Sequence, residues 1–134
     1  RSFYMGVDPI MEQNNAIYRE QSRLIQEFAE KSDCVIVGRS ADYILREKHP
    51  FRLFVYAEME HKMERCKKRA PESEHFTDKE LKRHILDVDK RRARYYQFFT
   101  GQTWGDRLNY DLCINTSNYD IKELVHAIAH LVEA

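Results

Sequence analysis

One stretch, Cys34-Val35-Ile36-Val37-Gly38-Arg39, constrains this chain more than any other. A short continuous apolar run that ends at a glycine is the pattern of a strand buried on both faces of a parallel sheet. Asp42 follows three positions after Arg39 and a helical pattern begins there, so Arg39 is expected at the carboxyl end of that strand. In open parallel sheets, ligands bind beyond the carboxyl ends of the strands. A guanidinium placed there offers a planar, permanently charged fork to a phosphate. The alternative is an arginine that caps the strand and pairs with Asp42.

The rest of the chain alternates in the same way. Phe51–Tyr56 and Asp111–Asn115 are further strand patterns. After an irregular stretch from Arg1 to Met11, helical periodicity starts at Asn14 or Asn15. It runs through Ile17, Leu24, Ile25, Phe28 and Ala29 to Lys31-Ser32. A short helix is expected over Ala41–Lys48 and another from about Glu60 to Arg69. The longest runs from a Thr77-Asp78-Lys79-Glu80 capping box to about Phe99. A last one is capped by Asn118 or Asp120 and runs through Leu131-Val132. Alternating strands and helices predict an α/β fold, a three-layer parallel sheet flanked by helices with right-handed crossovers. The 134 residues suit one domain, with a polar, lid-like loop at about 70–77. Three strands are few for such a sheet. Missing neighbours would lie upstream of Arg1 or in another chain, and an open edge suits a homodimer.

Charge excludes some partners. Lys plus Arg and Asp plus Glu both number 22, for a formal net charge of +0. That balance argues against bulk electrostatic binding to nucleic acid or a membrane surface. No apolar run is long enough to span a bilayer. Cys34, Cys66 and Cys113 lack metal-binding spacing and read as buried, reduced thiols of a cytoplasmic protein. His126 and His130, four apart, have no acidic or thiol partner at a recognised spacing and read as surface residues. Trp104, flanked by glycines, would stack on a base or cover a core edge.

The long helix carries a charge in an unusual place. At about 100° per residue, Leu81, Ile85, Val88, Tyr95 and Phe99 form one stripe, and Arg92 falls about 20° from Leu81. A buried guanidinium needs a carboxylate or a phosphate. Asp89, three residues back, is within reach. Either Asp89 positions Arg92 for a phosphate, or the two form an internal ion pair, or the stem lies on the core with its head in water. The basic cluster Glu64-Arg65-Cys66-Lys67-Lys68-Arg69 suits a helix carboxyl end. Just before a loop, it also suits the charge stabilisation of phosphoryl transfer.

Several of these pieces, in this order, resemble one family. Val35-Ile36-Val37-Gly38-Arg39 looks like the strand-end Gly-Arg-Asp motif of bacterial cytidylate kinases. Glu64-Arg65-Cys66-Lys67-Lys68-Arg69 is similar to the Glu-Arg-Ala-x-Arg-Arg stretch entering their lid. Asp87-Val88-Asp89-Lys90-Arg91-Arg92 resembles their Asp-Arg-Asp-x-x-Arg helix. Ile36 to Tyr43, Asp89 to Tyr96 and Asn109 to Ser117 resemble the cytidylate kinase-like family, over roughly Ile17 to Leu131 in all. The resemblance implies a P-loop nucleoside-monophosphate kinase fold, ATP and magnesium as donor, and CMP or dCMP as acceptor. It implies that Arg39 holds the acceptor phosphate, that Asp89 steers Arg92 towards it, and that Arg65 and Arg69 meet donor phosphates or the transferring group. Asp42 would stand in for the motif's acid, whose place Ser40 occupies. The family helix carries another arginine where Ile85 stands here. No G-x-x-x-x-G-K-[ST] occurs in the 134 residues, so a donor triphosphate lacks its cradle.

Two functions follow as expectations. One is a kinase transferring the ATP γ-phosphoryl group to CMP or dCMP, this chain being a carboxy-terminal part without the P-loop and inactive by itself. The other is a non-catalytic nucleotide-binding or protein-interaction module on the same scaffold. A nucleic-acid-binding role through the Lys90–Arg94 face is the weakest reading.

Overall fold

A computed structural model describes residues 9–133, and their side chains from residue 14 onwards. Contacts gather in two compact units, Arg1–Pro50 and Phe51–Ala134.

The first unit is built on helix α1, Pro9–Lys31. It begins at Pro9, five residues before the earlier of the two expected starts. Proline at a first helical position has its φ preset and gives up only an N–H that would be unbonded there anyway. Residues 9–11, expected to be irregular, are therefore helical, and the remainder of that stretch lies outside the described residues. Ile25 of α1 packs with Ala41 and Leu45 into a small core, with Ala29, Ile36 and Ile44 around it. Helix α2 is only Ala41–Ile44, and the expected continuation to Lys48 is a separate 3-10 turn, Arg46–Lys48.

The predicted strand at Cys34–Val37 does not form. Val35 is 94% and Val37 88% exposed, whereas Ile36 between them packs on the core. Alternation of that kind marks extended backbone with one side turned in. An extended run becomes a strand only when a neighbour takes its amides and carbonyls, and the described part of this unit contains no strand. Cys34 is accordingly exposed and not buried.

The second unit is a βααβα arrangement. Strand β1, Leu53–Tyr56, and strand β2, Leu112–Asn115, pair in parallel, with Leu53 opposite Leu112 and Tyr56 opposite Asn115. The sheet among the described residues has these two strands and not three. Helices α3, Met59–Arg69, and α4, Asp78–Thr100, make the crossover. The capping box forms as the sequence indicates: the Glu80 amide donates to the Thr77 hydroxyl and the Thr77 amide to the Glu80 carboxylate, both at 3.2 Å. Gly101 ends α4 in the left-handed conformation (φ 72), where a side chain would be strained. Helix α5, Ile121–Glu133, follows β2. Asp120 caps it, accepting from the Lys122 amide at 2.9 Å.

An aromatic group holds the start of the sheet. Trp104 meets Phe54 edge-on at 5.1 Å and Tyr110 lies 4.9 Å from the same ring. Trp104 therefore covers a core edge. Arg52 and Asp111, just ahead of the two strands, clamp them together: the Arg52 amide donates to the Asp111 carboxylate at 2.7 Å, and the guanidinium approaches it at 3.3 Å. These donors hold the Asp111 carboxyl below its ordinary range, the Arg52 amide contributing most.

Candidate functional site

Parallel strands leave their last carbonyls at one end, and α3 begins three residues after β1 stops. That short link brings Arg65, two turns into α3, back over the ends of both strands. One terminal nitrogen of its guanidinium donates to the Thr116 hydroxyl at 2.7 Å and the other to the Thr116 carbonyl at 2.6 Å. Thr116 is 3% exposed. Its own hydroxyl donates to the Tyr56 carbonyl at 3.0 Å, and its amide reaches the same oxygen at 2.8 Å. Arg65 is thereby fixed at the last residue of β1 and the first residue after β2.

Ser117 completes this end. Its hydroxyl donates to the Asn115 side-chain carbonyl at 2.6 Å and accepts from the Glu58 amide at 2.8 Å. Every hydrogen bond of the Arg65 guanidinium among the described residues goes to a neutral oxygen. A half-buried cation with no carboxylate keeps its charge for an anion.

A second cationic group stands on α4. Asp89 takes a hydrogen bond from the Lys62 ammonium at 2.7 Å, and one Arg92 nitrogen lies 3.4 Å from its other oxygen. The expected Asp89–Arg92 pair is present. The expected burial of Arg92 is not: its side chain is 63% exposed. Lys67 meets Asp78 at 2.6 Å and Lys62 meets Asp89, so α3 and α4 run antiparallel from the turn between them. Arg92 lies between the buried Ile85 and Tyr96 along α4, and its head reaches solvent on its aliphatic stem. The buried face of α4 is Leu81, Ile85 and Tyr96, with Tyr95 and Phe99 only half-buried. Arg69, in the last turn of α3, is exposed and makes no hydrogen bond or ion pair among the described residues. The polar loop at 70–77 contains one turn, from the Glu74 amide to the Pro71 carbonyl, and leads into the cap.

In the first unit, Gly38, Arg39 and Ser40 all have positive φ, at 72, 58 and 56. Two of them carry side chains, which the left-handed region disfavours by about 1–2 kcal/mol per residue. Arg39 is exposed and forms no ion pair among the described residues, so the cap-and-pair alternative with Asp42 is not what forms. Asp42 is half-buried in the first turn of α2. Ser40 is 5% exposed, and its hydroxyl has no hydrogen-bond partner among the described residues. Arg39 borders an open, mainly apolar groove of about 380 Å³ with Leu24, Phe28 and Ile36 in its walls.

Lys62 and Thr116 were not evident as site residues from sequence, because their partners lie 27 and 51 positions away. The only local signal was their position just past a strand. Cys66 is exposed and Cys113 half-buried, both free, and His126 and His130 are exposed. Among the described residues no three His, Cys, Asp or Glu side chains gather as metal ligands. No described helix is long and apolar enough to cross a membrane.

Comparison with known proteins agrees with the architecture. The model of the cytidylate kinase-like family matches residues 2–118. The crystal structure of an uncharacterized protein from Eubacterium ventriosum ATCC 27560 superposes with a TM-score of 0.80 at 27% identity, over 90% of this chain and 74% of that one. No curated protein matches the sequence.

Proposed function

The chain belongs to the cytidylate kinase-like family, and from that premise we propose that it carries acceptor-side and transfer residues of a nucleoside-monophosphate kinase acting on CMP or dCMP. One observation carries the reading. The Arg65 guanidinium is pinned to the carboxyl ends of two parallel strands by neutral oxygens alone. In this fold class that is the ligand end of the sheet. A fixed cation with unneutralised charge suits the charge that develops on a phosphoryl group in transfer.

In this proposal Arg65 and Arg69 face the transferring group and Arg92 binds phosphate with Asp89 at its side. Arg39 is a separate phosphate-binding arginine, with Asp42 near the sugar or base. ATP with magnesium is the proposed phosphoryl donor, and the parent enzyme works in the cytoplasm. The residues described here do not fit a donor site: the sequence has no G-x-x-x-x-G-K-[ST], and no carboxylate cluster gathers. Those parts would come from elsewhere in the polypeptide, and no step is drawn through them.

The missing phosphate cradle favours a second reading, a nucleotide-binding module without catalysis. The test is CMP and dCMP titration of the full-length protein by calorimetry, followed by a transfer assay with ATP and magnesium. Binding of CMP that falls at least tenfold on Arg92→Met supports the acceptor reading, and turnover by the same protein supports the kinase. Binding without turnover supports the module. If neither nucleotide binds, the acceptor reading fails.

A further inference from the structure

Asp89 sits between two cations, and the distances are unequal. Lys62 reaches it at 2.7 Å, within the range of a charge-assisted hydrogen bond, whereas Arg92 stands at 3.4 Å. Lys62 and Asp89 are 32% and 23% exposed, Arg92 is 63% exposed. The tight, sheltered pair is thus the one across two helices, and the pair along α4 is loose.

Charge counting gives the consequence. Asp89 with Arg92 alone would be neutral, and an i,i+3 pair on one helix would draw the guanidinium back against the carboxylate. With Lys62 holding the carboxylate, the three groups carry one net positive charge. Arg92 has one of its five N–H donors turned to Asp89. The others remain for an incoming anion.

We infer that Lys62 is a positioning residue: it holds Asp89 so that the Arg92 guanidinium is not drawn fully onto that carboxylate and stays available to the phosphate of the acceptor nucleotide. This rests on the acceptor role proposed above for Arg92. Lys62 itself does not touch the phosphate. It acts on affinity only through its neighbour.

A double-mutant cycle on the full-length protein tests this, with CMP as the probe in calorimetric titration and inorganic phosphate in a parallel series. Lys62→Met is expected to weaken CMP binding about fivefold, the scale of a partly buried ion-pair rearrangement. Lys62→Arg should restore it. In an Arg92→Met background, Lys62→Met should cost nothing more, because the group it acts through is gone. Lys62→Gln is the second variant should the methionine form fail to fold, and thermal melting identifies that failure. A Lys62→Met or Lys62→Gln protein that binds CMP like the unmodified one overturns the inference and leaves the acceptor reading standing. So does a loss that adds in full to that of Arg92→Met. Absence of CMP binding by the unmodified protein overturns both.

Discussion

Arg65, in the helix after β1, and Arg39, after the apolar run Cys34–Val37, were both candidate phosphate ligands, yet the protein holds them by opposite means. Arg65 is fixed by tertiary contacts: a buried threonine beyond β2 takes two of its hydrogen bonds and ties it to the end of β1. Arg39 is fixed by its backbone alone. It lies within three successive positive-φ residues, its side chain is exposed, and the hydroxyl next to it is buried without a partner among the described residues. The first arrangement is part of what holds the second unit together. The second is a local strain of the kind that concentrates at functional sites. The comparison teaches that a cation beyond a strand-like segment can belong to the frame or stand apart from it, and that only its partners tell which.

If that contrast is right, Arg65→Met is the most damaging change. It removes two charge-assisted hydrogen bonds and leaves a Thr116 carbonyl buried without its donor, at about 2–3 kcal/mol. Chemical denaturation should show the loss in the midpoint with little change in slope. A variant as stable as the original would mean that Arg65 is no part of the frame.

Glycines sharpen the comparison. A Cβ on Gly105 would stand 3.1 Å from the Phe54 ring at a φ of 85, whereas one on Gly38 would meet nothing within 4 Å at a φ of 72. Gly105→Ala should cost about 2 kcal/mol, from strain plus overpacking. Gly38→Ala should cost about 1 kcal/mol, from strain only. Equal losses in thermal melting would remove the packing difference between the two regions.

Arg39→Gly should change stability by less than about 1 kcal/mol, with relief of the left-handed strain offset by a more flexible unfolded chain. Calorimetry should nevertheless show weaker CMP binding. A large loss of stability would place Arg39 with Arg65 as frame.

The smallest effect concerns pH. Asp111 has its carboxyl lowered in the folded state, chiefly by the Arg52 amide and then by the guanidinium. A depressed carboxyl contributes stability above its unfolded value and loses it as pH falls through the folded one. The contribution should therefore fade below about pH 3.8, the ordinary value for this group, and the exposure of both side chains keeps it small. Asp111→Asn should flatten that part of the stability curve. An unchanged curve would show that the clamp ahead of the strands is indifferent to charge.

Local sequence determined much of this protein. The capping box Thr77–Glu80, the left-handed Gly101 after α4 and the Asp120 cap each depend on backbone within a few residues, and the strand patterns at Phe51–Tyr56 and Asp111–Asn115 were legible although each strand forms only against the other. Such features are written where they act. Asp89 beside Arg92 was legible for the same reason, as an i,i+3 pair. Tertiary structure decided the rest. Whether Cys34–Val37 becomes a strand depends on a neighbour for its amides, which no apolar pattern can supply from within. Arg92 reaches solvent although it shares a helix face with Leu81 and Ile85, and Arg65 and Lys62 acquired their partners from 51 and 27 residues away. Spacing reports which residues share a helix face, but charge finds its partner in space, and chain folding alone sets that distance.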